Sequence, residues 1–164
     1  MQFESAFKNA DFSALKPGAL FFHPLAGGHS PALKVITAQG NTMVVDLNLE
    51  QQNNTRAPTL MAADDFHGTS VVFVPEAIIR PTGGLSNLTN GSGGTSTIDR
   101  GALILLPSSS LLKVKGPQMQ TFVFDVDSGQ QSTNPDSAKC IWSDKWEVVI
   151  RQGDREEIIF TRKP

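Results

Sequence analysis

At 164 residues, with 39% hydrophobic and 18% charged side chains, the chain is long enough to bury a proper core and too apolar to be a disordered polyelectrolyte. A formal charge of −2 and a pI of about 5.9 give no basic face, so neither nucleic acid nor an anionic membrane surface is an expected partner. Cys140 is the single cysteine, which rules out an intrachain disulfide. No apolar run approaches a membrane span and the first residues lack a secretory pattern, so the expected compartment is the reducing cytoplasm.

The first twelve residues form a separate N-terminal segment. Phe3, Ala6, Phe7 and Ala10 recur at helical spacing, which predicts a short helix over Gln2–Asn9. From Ser13 onward the pattern changes to short apolar runs between turn residues, the mark of strands. Leu15 and Lys16 precede Pro17 and are held extended. ALKVITA and TMVVDLNL flank Gln39-Gly40-Asn41, which predicts a hairpin in which Met43, Val45 and Leu47 share one face. Val71-Val72 and Ala77-Ile78-Ile79 complete a first β unit over residues 13–81.

A Gly/Ser-rich stretch at 82–95 follows. It lacks the Lys-Ser/Thr that ends a phosphate loop, and the next segment, TSTIDRGALILL, reads as a strand, so the stretch is a connector. The second β unit, 96–164, contains QTFVFDVD, with Phe122, Phe124 and Val126 on one face. It closes on a WEVVIR–EEIIFT hairpin around Arg151-Gln152-Gly153-Asp154.

The two units look like diverged copies of one. SALKPGALFFHP (Ser13–Pro24) aligns with STIDRGALILLP (Ser96–Pro107), sharing Gly-Ala-Leu and the closing proline. Leu33-Lys34-Val35 then aligns with Leu112-Lys113-Val114, and TMVVDLN with TFVFDVD, after a longer turn, LAGGHSPA, in the first copy. Looser matches pair ADDF with SDKW, Val71-Val72 with Val148-Val149, and Ala77-Ile79 with Glu157-Ile159. The expected fold is therefore mainly β: two tandem pseudo-repeats, each a small barrel-like or rolled sheet, after a short N-terminal helix.

Chemistry is sparse. Ser108-Ser109-Ser110 has no neighbouring histidine, and no Gly-x-Ser-x-Gly elbow occurs. Cys140 sits in an apolar strand, where a thiol is usually inert. Asp46 and Asp125, each inside an apolar strand, read as structural carboxylates, either capping a neighbouring loop's amides or simply facing outward. All three histidines fall in the first unit. His23 and His29 flank its longer turn and His67 follows Asp64-Asp65, so His23, His29, His67 and Asp65 are the candidate ligand-binding residues. Their spacing matches no metal signature, and no motif calls for a cofactor. Two functional classes follow. The leading expectation is a non-enzymatic interaction or assembly module with a protein partner or self-association. The alternative is a small-ligand or metal-binding protein, possibly an enzyme, with its site near the first-unit histidines at the interface between the repeats.

Overall fold

A computed structural model describes residues 6–25, 28–48, 57–91, 98–133 and 140–162, with backbone alone for residues 24, 25, 28 and 29. Among them the chain is mainly β and has no helix of seven residues or more. The first half contains β1 (Lys8–Asp11), β2 (Leu20–Leu25), β3 (Gly28–Ile36), β4 (Thr42–Asp46), β5 (Thr59–Ala62), β6 (Ser70–Phe73) and β7 (Ala77–Pro81). The second contains β8 (Thr89–Gly91), β9 (Leu103–Leu105), β10 (Ser110–Lys115), β11 (Thr121–Asp125), β12 (Cys140–Ser143), β13 (Trp146–Gln152) and β14 (Arg155–Thr161).

The expected N-terminal helix does not form over its described part. Lys8–Asp11 is a strand paired antiparallel with β6, and residues 1–5 lie outside the described residues. A two-turn helix is marginal on its own, whereas the open side of β6 offers a complete set of backbone partners. Asp11 then accepts a hydrogen bond from Ser13 N at 2.7 Å, starting the 3-10 turn Phe12–Ala14.

Barrel closure also fails. β1-β6-β2-β3-β4-β5 continues through β10 into β9-β12-β8, with β11 branching from β10, while β14-β13-β7 is a separate three-stranded sheet. β5 meets β10 through a single parallel register pair, Thr59 with Lys115. On the opposite side, the gap between β11 and β3 is spanned by two isolated bridges, Ile36–Gln130 and Phe124–Gln131. Single bridges tie strands together without continuing a ladder, so the sheets stay open.

The pairing order is the same in both halves. β1-β6-β2-β3-β4 in the first is matched by β8-β12-β9-β10-β11 in the second. The loose match of Val71-Val72 to Val148-Val149 is not kept in the pairing. β6 lies in the larger sheet and β13 in the smaller. The 82–95 stretch is not all loop, since it supplies β8, which pairs with β12.

Alternation along the strands explains the layering. Leu20, Leu33, Val35, Val45 and Leu47 from the first half meet Leu103, Leu112, Val114, Phe124, Val126 and Trp146 from the second in one shared core. The opposite faces build two outer clusters. Phe12, Leu15, Phe21, Ala32 and Val44 pack in the first half, and Ile98, Ala102, Ile104, Leu111, Val123 and Cys140 in the second. Each meander is thus buried on both sides, which removes more apolar area from water than one face could.

One buried lysine per half ties the entry segment to its meander. Lys34 Nζ donates to Phe12 O at 2.9 Å and Leu15 O at 2.7 Å, and Lys113 Nζ donates to Ile98 O. Burial pushes the Lys34 amine below its usual value, and nearby Asp11 opposes that shift. Gly18 N donates to Lys34 O and Gly101 N to Lys113 O, and both glycines adopt positive φ, 84° and 88°.

Candidate functional site

The polar feature of greatest interest grows from the outer face of β2, β3 and β4. Phe21, Ala32 and Val44 share that face, and two residues further along each strand it carries His23, Ser30 and Asp46. His23 and Ser30 are register partners, and Asp46 is paired with Ala32 on the next strand, so the three side chains meet diagonally. Asp46 is 0% exposed and His23 5%.

Asp46 is fully engaged. His23 Nε2 lies 3.3 Å from its Oδ2, Ser30 Oγ donates to its Oδ1 at 2.7 Å, and Asn48 N donates to Oδ1 at 2.8 Å. Burial alone would raise the carboxyl, but the hydrogen bonds from His23, Asn48 and Ser30, with the charge of His23, hold it below the ordinary carboxylate value. It is therefore ionised at neutral pH and accepts from His23 Nε2, which fixes the orientation of the imidazole.

The ring faces a cleft of about 280 Å³ lined by His23, Met61, Asp65, Phe66, Thr69, Ser70 and Val71. Phe66 comes from the 3-10 turn Asp64–Phe66 and stands edge-on to the imidazole, ring centres 5.0 Å apart. Met61 comes from β5, and Ser70 and Val71 open β6. Thr69 Oγ1 donates to Phe66 O at 2.6 Å, which locks the turn beside the cleft.

Of the residues singled out from sequence, His23 and Asp65 line this cleft. His67 does not. It is exposed and packs edge-on against Phe12, ring centres 5.8 Å apart. His29 lies in β3 opposite Pro24, and its side chain is outside the described residues. Among the described residues no group of three or more His, Cys, Asp or Glu could hold a metal ion. Sequence reading missed Ser30, which carries no distinguishing pattern. It noted Asp46 only as a structural carboxylate, although the partner histidine was within the same unit.

The same strand positions in the second half are built differently. Leu106 aligns with His23 and packs against the outer cluster there. Asp125 is half-buried, and its Oδ1 accepts from Asp127 N, Ser128 N and Ser128 Oγ, all within its own turn. The two tryptophans stand on different strands, Trp142 on β12 and Trp146 on β13. Trp146 is 0% exposed and donates from Nε1 to Gly101 O at 2.7 Å, while Trp142 flanks the outer cluster.

Chemically, an imidazole held by an ionised carboxylate at a cleft wall can bind or exchange a proton. Among the described residues, Asp46 is the side chain hydrogen-bonded to the ring, and no hydroxyl or thiol is paired with it as a nucleophile would be. Among the described residues no helix is long and apolar enough to cross a membrane. Comparison with known proteins finds no matching family model, no matching curated protein and no matching solved structure, so the site stands on its geometry alone.

Proposed function

We propose that the chain is a non-enzymatic binding protein built by duplication of one β unit, whose first copy carries a small-ligand site at the His23 cleft. The observation that carries this reading is the contrast at one strand position. A common strand order, a common buried lysine and a common positive-φ glycine support duplication. Against that shared frame only the first half sets an imidazole on its strand carboxylate, and there it borders a cleft. The volume of about 280 Å³ lies just below the range of small-ligand pockets, roughly 300–1,000 Å³. The reading keeps the non-enzymatic character expected from the sequence and takes a small molecule, in place of a protein, as the occupant the geometry favours.

The test is an NMR and thermal-shift panel of small polar and aromatic molecules on the full chain. Binders should perturb the His23 ring and Met61 methyl signals, and Ser70→Trp, which puts an indole at the exposed rim, should abolish those shifts without lowering Tm. Binders that map to another surface, or a panel that leaves His23 and Met61 unmoved, would overturn the proposal.

A further inference from the structure

The His23 cleft has a donor–acceptor balance that narrows its occupant. Asp46 accepts from His23 Nε2, so that edge of the ring is already taken. Thr69 has already committed its hydroxyl proton to Phe66 O, so Thr69 Oγ1 offers lone pairs alone. Among the described residues of the lining, Asp65 is the one carboxylate. It is exposed, and among the described residues no cation pairs with it. Two acceptors, Thr69 Oγ1 and the Asp65 carboxylate, thus border one small space, with Ser70 able to donate or accept. The remaining walls, Met61, Phe66 and Val71, are apolar.

An ammonium group has three donors and no acceptor, which complements this set. A carboxylate or phosphate would face Asp65 with like charge and find few donors. From this balance we propose that the cleft binds a small primary amine in its cationic form, with an apolar or aromatic body seated against Phe66, Met61 and Val71. The inference rests on the small-ligand reading of the cleft and adds the chemical class of the occupant.

Two probes of matching shape and opposite charge separate the possibilities: 2-phenylethylamine and 3-phenylpropionate, titrated into the full chain by calorimetry and NMR. The amine should shift His23 and Met61 while the acid does not, and Asp65→Asn should weaken the amine about tenfold, the loss expected for one charge-assisted hydrogen bond. Asp65 is exposed, so this variant should melt with the wild type. If the acid binds at His23 as tightly as the amine, the amine class is overturned and the cleft remains a ligand site. If neither probe moves His23 or Met61, the amine class is again overturned, and the cleft itself is judged by the wider panel. An amine affinity untouched by Asp65→Asn would likewise sink the assignment.

Discussion

The first and second halves use one strand framework to different ends, and the clearest difference lies at the end of the third meander strand. Asp46 is sealed from solvent and shared among His23, Ser30 and a loop amide. Asp125, at the matching position, is half-buried and serves its own turn. A carboxylate in this position is useful to either fold as a turn cap. Pairing it with an imidazole accompanies its burial, and the ring it orients borders the cleft. The comparison teaches that the strand order is common while the chemistry depends on the residue at the end of the meander's first strand, His23 within β2 in one half and Leu106 just past β9 in the other.

The largest expected effect tests that contrast directly. Asp46→Ala strands a buried imidazole and hydroxyl and should cost about 3–5 kcal/mol in urea denaturation at neutral pH. Asp125→Ala removes turn hydrogen bonds reachable by water and should cost about 0.5–1.5 kcal/mol. Equal losses would erase the distinction between the halves. The same pair predicts an acid response. In the folded chain the Asp46 carboxyl sits below its ordinary 3.8, so the folded state binds that proton less readily than the unfolded state. Its stabilisation is therefore present above 3.8 and is lost as pH falls through the lower folded value. Glu156, held down by hydrogen bonds from Arg80 and Arg151, contributes in the same direction. Melting followed from neutral to acid pH should show a smaller acid loss in Asp46→Ala than in the wild type.

A second comparison concerns the two glycines at the head of each meander. A Cβ at Gly18 would run into the Asp127 carbonyl of the other half, whereas at Gly101 it would meet the Arg162 guanidinium. Both positions have positive φ, so alanine costs about 1–3 kcal/mol at either. At Gly18 the obstacle is backbone that also supports the Ile36–Gln130 bridge, adding about 1–3 kcal/mol. At Gly101 the obstacle is a side-chain end whose displacement gives up the Arg162 Nη1 bond to Asp144 O but moves no backbone, so Gly101→Ala should retain more stability in the same denaturation assay. The reverse ranking would show that the junction between halves yields more easily than its contacts suggest.

How much of this could be read from the sequence depends on range. Strand faces such as Met43, Val45 and Leu47 were legible because alternation is local. The likeness of Gly18 to Gly101, and of Lys34 to Lys113, is visible as aligned letters, though nothing in the letters says that both amines reach back to the entry segment. β1 was misread because apolar spacing over so few residues fits a helix as well as a strand, and the deciding partner, β6, lies some sixty residues on. Closure was misjudged for a related reason: whether β5 and β10 share one bridge or a full ladder is set by tertiary geometry. At the site, His23 and Asp65 stood out as titratable groups in one unit. Ser30 and Phe66 did not, because a serine in a strand and a phenylalanine in a turn acquire meaning only when the register brings them beside His23.

A further expected effect is that of His23→Leu, which gives the first half the residue found in the second. Asp46 would lose one donor and keep Ser30 and Asn48, at a cost of about 1–3 kcal/mol, partly offset by leucine packing on Phe66. The informative quantity is the coupling. In a double-mutant cycle with Asp46→Asn, the combined loss should fall short of the sum of the single losses by about 0.5–3 kcal/mol, since both changes break the same pair. Additive losses would mean that His23 is held by Phe66 and the strand backbone alone. In that case the buried carboxylate would be a turn cap like Asp125, and the two halves would differ in packing but not in chemistry.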